Sequence, residues 1–312
     1  MAARSCGAGL VVAILSFGIA AACVARTLDV PGGYASIAAA IDVAVAGDEI
    51  VVAPGTYAEN LVVATGVTVR GGGPDRASTT LQSANPEAPV VVVYLATGEA
   101  RFENLSLVVS GSGSGMEMAG SAEGAVRVVN CAFSVGLESV GVVVLGGELI
   151  AESSLFRGPA AAVQGPVGAV GILVGLGAAA AIRNCDFAYF ADAIRTSGGT
   201  GLAVNACSVG YSATGIAVRN QLSDSTTIQL ASNHIYGCTT GVLLAGAVAT
   251  AAIQENTILD CGSGPFRVAA GTCGGGGEAF SGILLGAANI VPQRDLLCPD
   301  EESGFWPAGF FE

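Results

Sequence analysis

Apolar residues in this chain recur with a long, regular period. Seven segments can be written one under another: RFENLSL (101–107), RVVNCAF (127–133), IAESSLF (150–156), AIRNCDF (181–187), AVNACSV (203–209), QLASNHI (229–235) and AIQENTI (252–258). Their last column holds Leu107, Phe133, Phe156, Phe187, Val209, Ile235 and Ile258, with successive members 22 to 31 residues apart. Five positions earlier stand Phe102, Val128, Ala151, Ile182, Val204, Leu230 and Ile253. Every entry in both columns is apolar. Short β-branched runs form a second ladder: GVVV (141–144), GILV (171–174), AIRT (193–196), GIAV (215–218), GVLL (241–244) and GILL (282–285). Alternate side chains of a strand face opposite ways, so each run offers one apolar face. A single coil cannot bury that face alone, whereas stacked coils bury a continuous core. Roughly 22 residues per coil, with no 3.6-residue period, argues for stacked strands and against a helical solenoid.

Two positions before the last column stand Leu105, Cys131, Ser154, Cys185, Cys207, Asn233 and Asn256. Alternation points this column inward beside a bend, where Asn can bond turn backbone and neighbouring amides and Cys packs as a small apolar group. The following column, Ser106, Ala132, Leu155, Asp186, Ser208, His234 and Thr257, faces outward, which makes the single histidine a surface residue.

The stretch before the first repeat predicts a short helix. Ser36 is its N-cap. Ile37, Ile41, Ala44 and Val45 share one helical face, and Gly47 ends it. A strand at Glu49–Ala53 and a PGTY turn then begin the first coil.

On these residues the chain resembles the pectin lyase-like, right-handed parallel β-helix superfamily. The ENTI and SNHI segments are similar to its coils. VPGGYASIAAAIDVAVAGDEIVVAPGTYAENLVV, followed by GVTVRGGG, is similar to its opening module, in which a short helix covers the open end of the stack. The resemblance spans residues 28–288. It implies an all-β fold, a right-handed parallel β-helix (solenoid) with a short N-terminal capping helix. It implies no single activity, because this scaffold hosts many.

Composition agrees with that fold. More than half of the 312 residues are apolar, 46 are glycine and only 6% are aromatic. The net charge of −13, with arginine supplying every basic side chain, disfavours nucleic acid as a partner. Residues 1–25 read as a signal peptide: Arg4 precedes an apolar Leu10–Ala22 run, and Cys23-Val24-Ala25 forms a small-x-small cleavage site. A second reading makes Cys23 a lipoprotein attachment site. The mature chain carries no transmembrane segment by sequence, so the expected location is secreted, periplasmic or on the cell surface. The domain reading is 26–288 for the β-helix and 289–312 for a capping tail, whose Phe305, Trp306, Phe310 and Phe311 cover the last coil or, alternatively, meet a partner. An exported setting permits disulfides. Cys238 and Cys261 share a register three residues past the ladder; Cys261–Cys273 and Cys273–Cys298 are the other pairings.

Candidate chemistry falls on the second ladder. Loops near 110–124, 157–170 and 262–281 occupy one corner beside it, and enzymes of the resembling superfamily place their substrate groove on this sheet. Alternation puts Val143, Leu173, Arg195, Ala217, Leu243 and Leu284 outside, with Arg219 next along its coil, close to Arg195. Asp192 lies nearby, alone. Arg195, Arg219 and Asp192 are the ligand-binding candidates, because guanidinium forks match carboxylates. Glycoside hydrolysis needs two positioned carboxyl groups and Ca²⁺-assisted elimination needs several oxygen ligands; neither set stands on this face. GTYAEN (55–60) resembles the first motif of pectinesterases, but that family's later Gln and paired Asp motifs have no counterpart. The clustered aspartates of polygalacturonases are also missing. No catalytic residue, metal site or cofactor is therefore expected. The preferred reading is a non-catalytic module with a polysaccharide or cell-envelope partner. The alternative is a divergent polysaccharide lyase or hydrolase, with Ca²⁺ and the acidic residues Glu117, Glu123, Glu278 and Asp192.

Overall fold

A computed structural model describes residues 25–120, 123–159, 168–220, 226–245, 250–268, 283–285 and 296–297. Residues 1–24, expected as part of a signal peptide, lie outside these, as do Cys273, Cys298, Glu278 and the aromatic residues of 305–311. The chain winds as a right-handed solenoid of three parallel sheets with eleven, ten and nine strands. One coil shows the path. Gly124–Val129 lies in sheet I, Ala132–Val135 in sheet II and Val140–Val144 in sheet III, and Glu148–Glu152 then re-enters sheet I.

Both sequence columns are realised strand on strand. Phe102, Val128, Ala151, Ile182, Val204, Leu230 and Ile253 are consecutive partners in sheet I. Leu107, Phe133, Phe156, Phe187, Val209, Ile235 and Ile258 are consecutive partners in sheet II. All are buried. The phenylalanines stack in the bore: Phe133 and Phe156 have ring centroids 4.7 Å apart, Phe156 and Phe187 4.6 Å, with nearly parallel planes. That spacing is the coil pitch itself, so one identical side chain per coil gives offset-stacked rings.

The bend between sheets I and II has a fixed backbone. Asn104, Asn130, Ser153, Asn184, Ala206, Ser232 and Glu255 all take left-handed conformations, φ between 50° and 56°. The next residue turns inward, and all seven residues of the Leu105-to-Asn256 column are buried. Hydrogen bonding between coils runs unbroken round this corner: the amide of Ala132 donates to the Leu105 carbonyl at 2.8 Å, Leu155 to Cys131 at 2.8 Å and Asp186 to Ser154 at 2.9 Å. Arg76, from the loop 72–78, lies across this corner and donates to the Cys131 and Ser153 carbonyls, both at 3.2 Å.

Glycine at the head of sheet III strands has a packing cause. A Cβ on Gly171 would stand 2.3 Å from the Ala193 carbonyl oxygen and 3.1 Å from the Phe187 ring. A Cβ on Gly141 would meet Gly171 and Phe156 in the same way.

At the N-terminal end, helix α1 (Ile37–Ile41) buries Ile37 and Ala40. Ser36 caps it, accepting from the Ala39 amide at 3.1 Å. The helix is shorter than the sequence reading. It is capped by Asp42; Val43 and Val45 are exposed, and the Asp48 carboxylate accepts from the Val45 amide at 2.9 Å. Glu59, within the GTYAEN stretch, accepts from the Ile37 and Ala38 amides at 3.1 and 2.9 Å. That stretch thus serves capping. Asp48 is fully buried, and Arg26 reaches it through its backbone amide at 2.9 Å and its guanidinium.

Two assignments of the second ladder change. Ser114–Met118, expected as loop, is a sheet III strand beside Val140–Val144; its Met and Glu residues hid the β-branched signature. Ile283–Leu285 pairs with Thr250–Gln254 in sheet I, so Leu284 lies beside Ala252. The sheet III strand of the coil before it is Gly264–Val268, which puts Arg267 at the register position expected for Leu284. A proline in that strand and the lack of a β-branched run concealed it.

Candidate functional site

The outward row of sheet III runs Val62, Val92, Glu117, Val143, Leu173, Arg195, Ala217, Leu243, with Arg267 at the next register position. Val62 is exposed, whereas Ala217, expected outside, is fully buried between the positions of Arg195 and Leu243. Leu145 and Leu176 stand exposed at the turn after this sheet. The face is therefore largely apolar.

Its polar centre is Asp192. The sequence reading left this residue alone; the structure places it between both arginines. Its side chain is only 3% exposed, and a buried carboxylate requires compensation. Arg195 supplies it, donating through Nε to Oδ2 at 2.5 Å and also approaching through Nη2. Arg219 meets Oδ1 through Nη2 at 3.5 Å. Both carboxylate oxygens are thus engaged, and two guanidiniums share one negative charge. Arg219 keeps 48% of its side chain exposed and Arg195 29%. A guanidinium has five donors, so Arg219 presents N–H groups outward while Asp192 fixes its direction. This arrangement can hold hydroxyl or carboxylate oxygens, while the Asp192 carboxylate itself is buried behind Arg195.

The acidic residues of the alternative reading are dispersed. The strand of Glu117 is three strands from that of Asp192, about 14 Å at the usual interstrand spacing, beyond the separation of paired glycosidase carboxyls. Glu123 is exposed at the start of the next coil. Among the described residues, no three His, Cys, Asp or Glu side chains are grouped to hold a metal ion. No described helix is long and apolar enough to cross a membrane. Arg70 and Arg127 form cross-coil ion pairs with Glu49, Glu99 and Glu152 on sheet I, so they build no continuous basic stripe.

The five cysteines among the described residues are buried thiols. Burial pushes the Cys131 thiol up to about 12. Cys185 is raised by its hydrogen bond with Cys207 and then by burial, and Cys238 by its hydrogen bond with Cys261 and then by burial. Tyr236 pairs with Leu259 on the adjacent coil, which carries Cys238 and Cys261 to one register position. His234 is exposed, its ring 5.0 Å from that of Tyr236.

Three continuous parallel sheets, a left-handed bend on seven successive coils and a capping helix define a right-handed parallel β-helix. The sequence matches the family described as a right handed beta helix region over residues 114–274. The chain belongs to that family. Among solved structures it is similar to the PL6 family alginate lyase AlyGC (10% identity, TM-score 0.48, covering 88% of this chain and 40% of that one). It is also similar to ORF18 of Geobacillus virus E2 (10% identity, TM-score 0.33, 70% and 52%). A third is the A-module of mannuronan C-5 epimerase AlgE6 from Azotobacter vinelandii (12% identity, TM-score 0.33, 82% and 95%). The chain thus spans 40% of the length of the alginate lyase. No curated protein sequence matches it.

Proposed function

We propose that this protein is an exported β-helix that binds glycans without cleaving them, as a soluble or envelope-associated module. The observation that carries the reading is the Arg195–Asp192–Arg219 cluster. A buried carboxylate is spent on orienting two guanidiniums, and the outward-facing donors suit the oxygens of a linear polymer lying along the coil row. A catalytic acid or base would need a carboxyl group open to substrate, and the Asp192 side chain is almost fully buried.

The test incubates the mature protein and Ca²⁺ with a panel of acidic and neutral polysaccharides. Size-exclusion chromatography reads chain length, and affinity electrophoresis reads binding. Expected are unchanged chain lengths, with at least one polysaccharide retarding the protein and Arg219→Ala weakening that retardation. Shortened chains overturn the reading in favour of a lyase or hydrolase.

A further inference from the structure

A second surface, at the corner where sheet II leads into sheet III, carries a strip of aromatic rings. Tyr189, Tyr211 and Tyr236 come from three successive coils. The rings of Tyr189 and Tyr211 stack with centroids 5.7 Å apart, and Tyr236 meets Tyr211 edge-on at 5.3 Å. His234 extends the strip, 5.0 Å from Tyr236. Tyr211 is 49% exposed, so its ring is a surface feature and not part of the bore.

Two features indicate that this strip is built. First, Tyr189 and Tyr211 hold φ of 68° and 50°, a left-handed conformation that bulky residues avoid. The same corner one coil later uses Gly237 at φ 59°, and Asp260 follows at φ 54°. Gly and Asp tolerate that backbone, so two tyrosines there carry a conformational cost that core packing does not explain. Such outliers concentrate at functional surfaces. Second, glycines seat the rings. A Cβ on Gly210 would stand 2.6 Å from the Tyr236 ring, and one on Gly237 would stand 3.1 Å from the Tyr211 ring. The tyrosines therefore lie against bare backbone, and little side-chain freedom remains to be lost on binding.

We infer that Tyr189, Tyr211, Tyr236 and His234 form a stacking platform for the ring faces of an uncharged oligosaccharide. Aromatic faces accept the C–H faces of sugar rings, and the platform is edged by groups that bond hydroxyls. Asp186, Ser208 and His234 are consecutive in the outward row of sheet II, with Asp186 and His234 exposed, and exposed Asp260 follows one coil beyond Gly237. The carboxylates at the edge, on a chain of net charge −13, repel an anionic polymer and accept from neutral hydroxyls. The inference rests on the glycan-binding reading but not on the arginine cluster.

The experiment is calorimetric titration of the mature protein with cellohexaose and mannohexaose as neutral probes. Tyr211→Ala and Tyr236→Ala are each expected to weaken binding by about tenfold, and Tyr211→Phe to stay within about twofold of the parent. Gly210→Val, which displaces the Tyr236 ring while leaving every tyrosine in place, is expected to weaken binding as Tyr236→Ala does. Far-UV circular dichroism verifies that each variant is folded. If neutral probes bind with unchanged affinity to the tyrosine variants but are lost on Arg219→Ala, the platform is overturned and the glycan reading stands. If the parent binds neither probe, or the tyrosines prove to mediate self-association in sedimentation, the platform is overturned as well. Polysaccharide retardation then decides separately whether the glycan reading survives.

Discussion

Asn256 accepts two hydrogen bonds from Asn233 on the preceding coil through one oxygen: Oδ1 takes the backbone amide at 3.0 Å and the side-chain amide at 2.9 Å. Asn233 repeats the pattern one coil earlier, accepting from the Cys207 amide at 3.0 Å and donating to the Val204 carbonyl at 2.8 Å. Ser154 does the same for Cys131, accepting from its amide at 3.1 Å. Polar residues in this buried column thus complete the backbone at the bend. Asn233→Ala leaves the Cys207 amide without its acceptor, and an unsatisfied buried group costs about 1–3 kcal/mol. Urea denaturation should show a lower midpoint. An unchanged midpoint would mean that the bend needs no side-chain partner.

The phenylalanine stack sets a second expectation. Phe156 is fully buried with a ring on each side. Phe156→Ala should cost about 3–5 kcal/mol. Gly171→Val acts on the same layer from the other side, because its Cβ would strike the Ala193 carbonyl. Both variants should lower the thermal midpoint, and Phe156→Leu should fall between parent and Phe156→Ala.

Much of this architecture is legible in the chain. The two columns, the inward bend column and the outward placement of His234 follow from spacing alone, because one coil repeats one set of packing demands. The left-handed residue before each inward bend residue left little trace, since Asn, Ser, Ala and Glu all occupy it. The Arg195–Asp192–Arg219 contact was visible only as proximity. Its ion pairing depends on side-chain direction, which alternation does not give for Asp192 at the start of its strand. The capping role of Glu59 was hidden because it joins residues far apart in sequence, and the tyrosine strip because its members come from different positions within their coils.

The arginine cluster makes an asymmetric prediction. Arg195→Ala removes the close partner of a buried carboxylate, whereas Arg219→Ala removes one at 3.5 Å. Charged hydrogen bonds of this kind are worth about 1.5–3 kcal/mol, so Arg195→Ala should destabilise the protein more than Arg219→Ala. Guanidinium chloride would mask charge effects, so urea is the denaturant to use. Equal effects would contradict the clamp.

Acid should loosen the N-terminal end. The Arg26 guanidinium, then the Val45 and Arg26 amides, hold the Asp48 carboxyl well below the usual carboxylate range. A depressed folded pKa contributes stability that is full above the unfolded value, about 3.9, and fades as pH falls below it. Hydrogen exchange of α1 and the strand Glu49–Val52 should accelerate below that pH in the parent. In Asp48→Asn it should be faster at neutral pH and less sensitive to acid.

Cys238 and Cys261 supply a chemical test of register. Adjacent coils place Cα atoms about 4.8 Å apart, within the range of disulfides. Oxidation of the protein followed by non-reducing peptide mapping should recover a Cys238–Cys261 link. Linkage of either residue to Cys185 would contradict the coil order.

From the coil beginning at Gly98 onward, the path from sheet I through the left-handed residue to sheet II has one length, the two inward columns standing five positions apart. The loop before sheet III varies freely, short before Val140 and long before Val170. In these coils insertions therefore stand at the ends of sheet III strands and not at the bend, since a single added residue there would turn a whole strand of sheet II inside out. From Gly98 onward, new loops can be acquired, exchanged or lost beside the face that carries the arginines. The scaffold channels evolutionary change toward that face while the opposite corner keeps the stack in register.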